Sequence, residues 1–138
     1  MKSYRAGDRL PASDVPVTTY LVIAGAIATR DFQPVHHDRD AALAAGTKDI
    51  FMNILTTNGL VGRYITDWAG PEARLKKLDI TLGAPNFPGD CLTFTGHIDE
   101  LSEDGTARVS IEGRNASGVH VSGTAVLALD SSEVTAHA

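Results

Sequence analysis

Apolar residues recur three and four positions apart between Phe51 and Trp68, and that spacing predicts one long helix. Ile54, Val61, Ile65 and Trp68 form the stripe, Phe51 and Leu55 widen it, and Thr56, Arg63, Thr66 and Asp67 fall on the opposite face. The helix is expected over roughly Met52–Trp68, ending at Gly70-Pro71. Gly59 and Gly62 lie inside it, and each costs about 1 kcal/mol relative to alanine. Their presence predicts close packing against a neighbouring backbone. Asn58 falls within the stripe, where a polar group must find a partner. It reads as a satisfied core amide or as a group that orients a reacting side chain or a ligand, and Thr57 is a weaker instance of the same idea.

The rest of the chain divides by the same logic. Thr18 can cap a helix running to about Thr29, although Gly25 and the β-branched residues there leave a strand as the alternative. Residues 30–37 contain Pro34, which excludes a long helix and pushes Gln33 toward extended geometry. Asp38 is a good N-cap for a short helix, Arg39–Ala45, with Gly46 as its stop. After residue 71 the period changes to two. Strands are expected over Leu75–Leu82, Cys91–Leu101, Thr106–Arg114 and Val119–Leu129, with turns at Pro85–Asp90, Ser102–Gly105 and Asn115–Gly118. One long helix followed by an antiparallel run of strands is an α+β pattern. Residues 1–14 and 131–138 read as loose ends flanking one domain over residues 15–130.

A chain of 138 residues is one domain by length and can bury a core without staples. A formal charge of -5, from 12 basic and 17 acidic residues, argues against a nucleic-acid surface. The single cysteine, Cys91, excludes an internal disulfide and a cysteine metal cluster, and fits a cytoplasmic setting. The polar start is unlike a signal peptide, and the longest apolar-rich stretch, residues 20–28, is about half a membrane span. No membrane association and no metal are expected.

The chemistry is concentrated in Asp31-Phe32-Gln33-Pro34-Val35-His36-His37-Asp38. A carboxylate and an imidazole five residues apart on a proline-stiffened loop suit water activation or proton transfer. In isolation that spacing is common and reads as loop capping and solvation. Its companions change the weighting. The stretch resembles the Asp-x-Asn-Pro-(apolar)-His motif of MaoC-like dehydratases. Two further features of that family follow in order: the helix opening Ile50-Phe51-Met52-Asn53-Ile54-Leu55 and the turn Pro85 to Asp90. The resemblance covers about residues 15–130. It departs from the broader pattern at Gln33 for asparagine, and at Arg30 and Asn53 for glycine. Ala28–Gln33, Val35–Asp40, Lys48–Phe51 and Tyr64–Pro71 are similar to the small catalytic subunit of actinobacterial steroid side-chain enoyl-CoA hydratases.

The resemblance implies a single hotdog fold, a long helix wrapped by a curved antiparallel sheet. It implies an (R)-specific enoyl-CoA hydratase subunit acting on a bulky steroid side-chain thioester of the cholesterol-degradation type. Asp31 and His36 would be the acid/base pair. Backbone N–H groups of Asn53 and Ile54 at the helix start would meet the thioester oxygen as charge builds there. Asn58 is a possible orienting residue. Coenzyme A enters as part of the substrate, and no separate cofactor is implied. The partner implied is a second MaoC-like subunit in a dimer of heterodimers, with a homodimer as the alternative. Arg74, Lys76 and Lys77 could meet the coenzyme A phosphates, or form an ordinary solvated edge. His37 reads as solvent-facing, His97 and His120 as surface or sheet residues, and Trp68 as core or interface. The competing readings are a non-catalytic acyl-CoA-binding subunit and a hotdog thioesterase.

Overall fold

The computed structural model describes residues 3–130. The tail expected over 131–138 and the first two residues lie outside the described part. The helices are α1 (Thr19–Ala28), α2 (Arg39–Ala44) and α3 (Ile54–Ala69). The strands are β1 (Arg9–Pro16), β2 (Arg74–Leu82), β3 (Cys91–Leu101), β4 (Thr106–Asn115) and β5 (Gly118–Ala128). All neighbours pair antiparallel, in the order β1-β3-β4-β5-β2. The α+β expectation holds, and the four strands after residue 71 fall within a residue of their expected bounds.

The core lies between α3 and the sheet. Val61 and Ile65 of α3 are fully buried with Leu92, Phe94, Ile98, Val109, Val121 and Leu127. The Tyr64 ring stacks on Phe94, centroids 5.3 Å apart. Burying each of these apolar side chains contributes about 1.5–3 kcal/mol relative to exposure, so this seam sets how α3 is turned. Trp68 is half-buried and meets Tyr4 edge-on at 5.3 Å, the packing role expected of it.

Residues 9–14, expected as a loose end, belong to β1, which pairs with β3 from Arg9↔His97 to Pro16↔Cys91. The local pattern hides this strand because it holds two prolines. Pro11 sits where the register shifts between Leu10 and Ser13, and Pro16 ends the strand. Both positions tolerate proline on a sheet edge. Tyr4, further upstream, is buried as well.

Helix α3 differs from expectation at its start. It begins at Ile54 because the Asn53 side chain caps it, accepting from Thr56 N at 3.1 Å. Ile54 and Leu55 were expected in the buried stripe, yet they are 50% and 47% exposed. They occupy the first turn, which is turned away from the core seam. Thr56, expected on the solvent face, is buried against α1. The close-packed glycine is also not the expected one. A Cβ on Gly59 would meet nothing within 4 Å, and one on Gly62 only Leu75 at 3.9 Å. A Cβ on Gly25 of α1 would lie 2.3 Å from Thr56 Oγ1, so α1 and α3 cross at Gly25.

Candidate active site

The loop that carries Asp31 is fixed by the way α1 ends. Arg30 N–H donates to Ile27 O at 3.1 Å and Asp31 N–H to Ala26 O at 2.9 Å. This is the paired termination that requires a left-handed residue after the helix. Arg30 supplies it at φ 57°, the one non-glycine residue with positive φ among those described. Glycine would take that backbone angle freely, whereas the left-handed region costs a side chain about 1–2 kcal/mol. Gln33 is extended (φ -60°, ψ 130°), as the following proline demands. Pro34–His36 then make one 3-10 turn, with Asp38 N–H on Pro34 O at 2.7 Å. Asp38 caps α2 as expected, accepting from Asp40 N and Ala41 N.

This path brings the two residues together. Asp31 Oδ2 lies 3.3 Å from His36 Nε2, with the histidine side chain 8% and the aspartate 23% exposed. His36 Nδ1 is 2.7 Å from Phe51 O. A carbonyl only accepts, so Nδ1 carries a hydrogen and Nε2 is the nitrogen free to gain or lose one. The Phe51 ring meets the imidazole edge-on at 4.9 Å and holds its plane. In its neutral form the ring presents a lone pair on Nε2 beside a carboxylate. Two acceptors at that separation suit a donor between them, either a shared proton or a water giving one hydrogen to each.

The pair lines a cavity of about 380 Å³ with Phe51, Met52, Asn53, Ile54, the segment Leu82–Pro85 and His120. The N–H groups of Asn53, Ile54 and Leu55 have no acceptor among the described residues. Asn53 and Ile54 line the same cavity, so the positive end of a 16-residue helix opens into it.

Of the two asparagines near the start of α3, it is not Asn58 that reaches Asp31. Asn58 is half-buried, and no hydrogen bond joins it to Asp31. The amide that reaches the carboxylate is Asn53, whose Nδ2 donates to Asp31 Oδ2 at 3.1 Å and to Thr29 Oγ1 at 2.9 Å. Asn53 was expected to contribute only its backbone. A strong N-cap residue ahead of an apolar run was visible in the sequence, but not that its side chain spans to a residue 22 positions earlier.

His120, expected as a surface or sheet residue, is 2% exposed and lines the cavity. Its Nδ1–H donates to Ala84 O at 2.7 Å, and Thr57 Oγ1 donates to its Nε2 at 2.8 Å. It thereby ties the cavity wall at Ala84 to the first turn of α3. No sequence signal marks this, because the contacts span 36 and 63 residues. Burial holds the His120 imidazole below its ordinary pKa of 6.5, outweighing the raising effects of Ala84 O and Asp90. The folded state thus refuses a proton that the unfolded state accepts. Stability from this site is present above the unfolded value and is lost as pH falls from there through the lower folded value. The melting temperature is expected to drop on acidification below about pH 6.5, with a shallower slope in His120→Gln, measured by thermal melts across pH.

The remaining candidates lie elsewhere. Arg74, Lys76 and Lys77 are exposed at one end of β2, and Leu82 lines the cavity from the other. Lys77 and Leu82 are about 17 Å apart at the usual rise of a strand. Lys77 Nζ is 3.2 Å from Asp79 Oδ2. His37 is exposed, and His97 pairs with Asp99 on the surface, both as expected. No group of three potential metal ligands occurs among the described residues. No helix among them is long and apolar enough to cross a membrane.

A carboxylate–imidazole pair faces a helix N-terminus here, on a hotdog scaffold of one long helix packed in a five-stranded antiparallel sheet. The chain belongs to the MaoC-like domain family, whose model matches residues 5–121. It is 51% identical over 108 residues to the beta subunit of the 3-oxo-4,17-pregnadiene-20-carboxyl-CoA hydratase of Mycobacterium tuberculosis, covering 78% of this chain and 83% of that one. Among solved structures it is similar to a chain of the ChsH1–ChsH2 complex of M. tuberculosis, with a TM-score of 0.89, 46% identity, and 91% and 98% coverage of the two chains. The (R)-hydratase of A. caviae involved in PHA biosynthesis shares the fold at a TM-score of 0.84 and 21% identity, with 94% and 100% coverage.

Proposed function

We propose that this chain is the acid/base subunit of an (R)-specific enoyl-CoA hydratase, adding water across the 2,3-double bond of a steroid side-chain enoyl-CoA thioester. The observation that carries the reading is the approach of Asp31 and His36 to 3.3 Å on the wall of a cavity into which α3 opens its N-terminus. The substrate class follows the relative that is 51% identical to this chain over 108 residues.

The chemistry needs three groups, and the cavity offers each. A water held between Asp31 Oδ2 and His36 Nε2 is polarised by both acceptors and attacks Cβ. One of the pair takes its proton, and the pair returns a proton to Cα on the same face of the alkene. The thioester oxygen gains negative charge in between, and the N–H groups of Asn53 and Ile54 donate hydrogen bonds to it in this reading. One such donor contributes about 3–4 kcal/mol in the transition state.

A second MaoC-like subunit completes the site in this reading, assembled as a dimer of heterodimers. Phe32, Ile54, Leu55 and Leu82 expose apolar surface beside the cavity, Phe32 by 64%. Apolar side chains exposed together in this way suit an interaction surface. The solved relative comes from a two-protein complex, which supports a heteromeric assembly. A cytoplasmic site of action is part of the proposal, in keeping with the free thiol of Cys91.

The test is copurification with candidate MaoC-like subunits, then an assay on steroid and short-chain enoyl-CoA thioesters. Loss of the conjugated enoyl band without free thiol is the expected result, with the steroid thioester preferred. Release of free thiol would replace the reading by a thioesterase. Tight binding with neither change would replace it by a silent acyl-CoA-binding subunit.

A further inference from the structure

We infer that Asn53 is a positioning residue whose side chain aims the Asp31 carboxylate and ties that aim to the first turn of α3. The inference rests on the hydratase reading and adds a group to it. Asn53 is 2% exposed, and every hydrogen-bonding capacity of its amide is used. Oδ1 accepts from Thr56 N at 3.1 Å and from Thr56 Oγ1 at 2.5 Å. Nδ2 donates to Thr29 Oγ1 at 2.9 Å and to Asp31 Oδ2 at 3.1 Å. A backbone N–H can only donate, so the end facing Thr56 must be oxygen and the end facing Asp31 must be nitrogen. The amide cannot turn over without losing the cap and the carboxylate together.

This matters because the carboxylate has little else to fix it. Its other oxygen has only a long contact, Gln33 N at 3.4 Å. Oδ2 is the oxygen that faces His36, and an N–H on one of its lone pairs directs the other toward the imidazole and the shared water. Thr29 Oγ1, which receives the second Nδ2 hydrogen, is itself anchored by donating to Gly25 O at 2.7 Å. The chain from α1 through Thr29 and Asn53 to Thr56 is therefore continuous. It sets the base relative to the same helix start that faces the thioester oxygen. The titratable groups around the carboxylate are His36 from the 3-10 turn and His120 from β5 across the cavity, with Arg30 preceding it in sequence. Asp31 is the one carboxylate in the cavity lining.

Two substitutions separate aiming from capping. Aspartate and serine both serve well at an N-cap, so Asn53→Asp and Asn53→Ser keep that role. Neither can donate to Asp31: the aspartate carboxylate has no hydrogen, and serine is too short. With the partner subunit present, each is expected to lower kcat at least about tenfold while KM changes by less than about threefold. Asn53→Asp also sets a second carboxylate beside the first. Like charges so placed resist joint ionisation, so the acidic limb of the kcat/KM profile should move up by about one pH unit or more in that variant alone. Should Asn53→Asp not fold, the kcat of Asn53→Ser decides. Turnover within about threefold of the parent in the folded variants, with an unmoved acidic limb, would overturn the inference. Asp31→Asn run alongside keeps the two ideas apart. If it is inactive while the Asn53 variants are normal, only the positioning role falls. If it is active, the hydratase reading falls first.

Discussion

Asp31→Asn is expected to lower turnover at least about a hundredfold in the assembled enzyme, about 2.7 kcal/mol in the barrier, without loss of the fold. The change is isosteric. The new amide can present its oxygen to Asn53 Nδ2, so the geometry that places the residue 3.3 Å from His36 survives. What disappears is the basicity of the carboxylate and its ability to share a proton with Nε2. His36→Ala is expected to cost as much, and it carries a structural charge as well. Removing a ring that is 8% exposed opens a void beside Phe51 and leaves Phe51 O without its N–H partner. Melting temperature must therefore be read beside the rate, and Asp31→Asn is the cleaner of the two. Circular dichroism and copurification with the partner would establish that each variant is folded and assembled. Near-normal turnover in either would remove that residue from the acid/base role.

The strands after residue 71 were legible because their alternation and their turn residues are local. Asn115 and Gly118 build the expected hairpin turn themselves: Ser117 N–H donates to Asn115 Oδ1, and Gly118 takes φ 130°. The capping of α1 by Thr18 and of α2 by Asp38 was legible for the same reason. Strand β1 was not, since its only evidence is a partner strand some 80 residues later and its prolines argue against pairing. The site divides along the same line. Asp31 and His36 lie five residues apart and form one motif. The residues that complete their surroundings come from elsewhere: Asn53 from the start of α3, Ala84 from the wall after β2, and His120 from β5. None carries a local signal, because what matters about each is a long-range contact. Thr56 shows the limit of periodicity most directly. Its position opposite the apolar stripe predicts water, but α1 lies there instead, and a threonine fits because its hydroxyl is bonded to Asn53.

That crossing makes Gly25→Ala the second large effect. The added methyl would stand 2.3 Å from Thr56 Oγ1, 2.8 Å from its Cγ2 and 3.1 Å from its Cβ. Turning the threonine about its own side-chain bond does not clear the last of these, so the two helices must part or tilt. Overpacking of this kind costs about 1–3 kcal/mol, and this site belongs in the upper half of that range because all three near atoms belong to a β-branched side chain. Helix propensity works the other way and offsets up to about 1 kcal/mol, leaving a net loss of about 1–2 kcal/mol. Activity should fall too, by several-fold in kcat, because Thr56 holds Asn53 and Asn53 holds Asp31. Gly59→Ala is the matched control. It makes the same chemical change in a helix where the new methyl meets nothing within 4 Å. Only propensity acts there, and a gain of up to about 1 kcal/mol is expected with kcat unchanged. Chemical denaturation of both variants reads the difference, and their ΔΔG values should have opposite signs. If both variants gained stability, the glycine in α1 would be a matter of tolerance, and the close crossing of α1 and α3 could not be what sets the aim of the base.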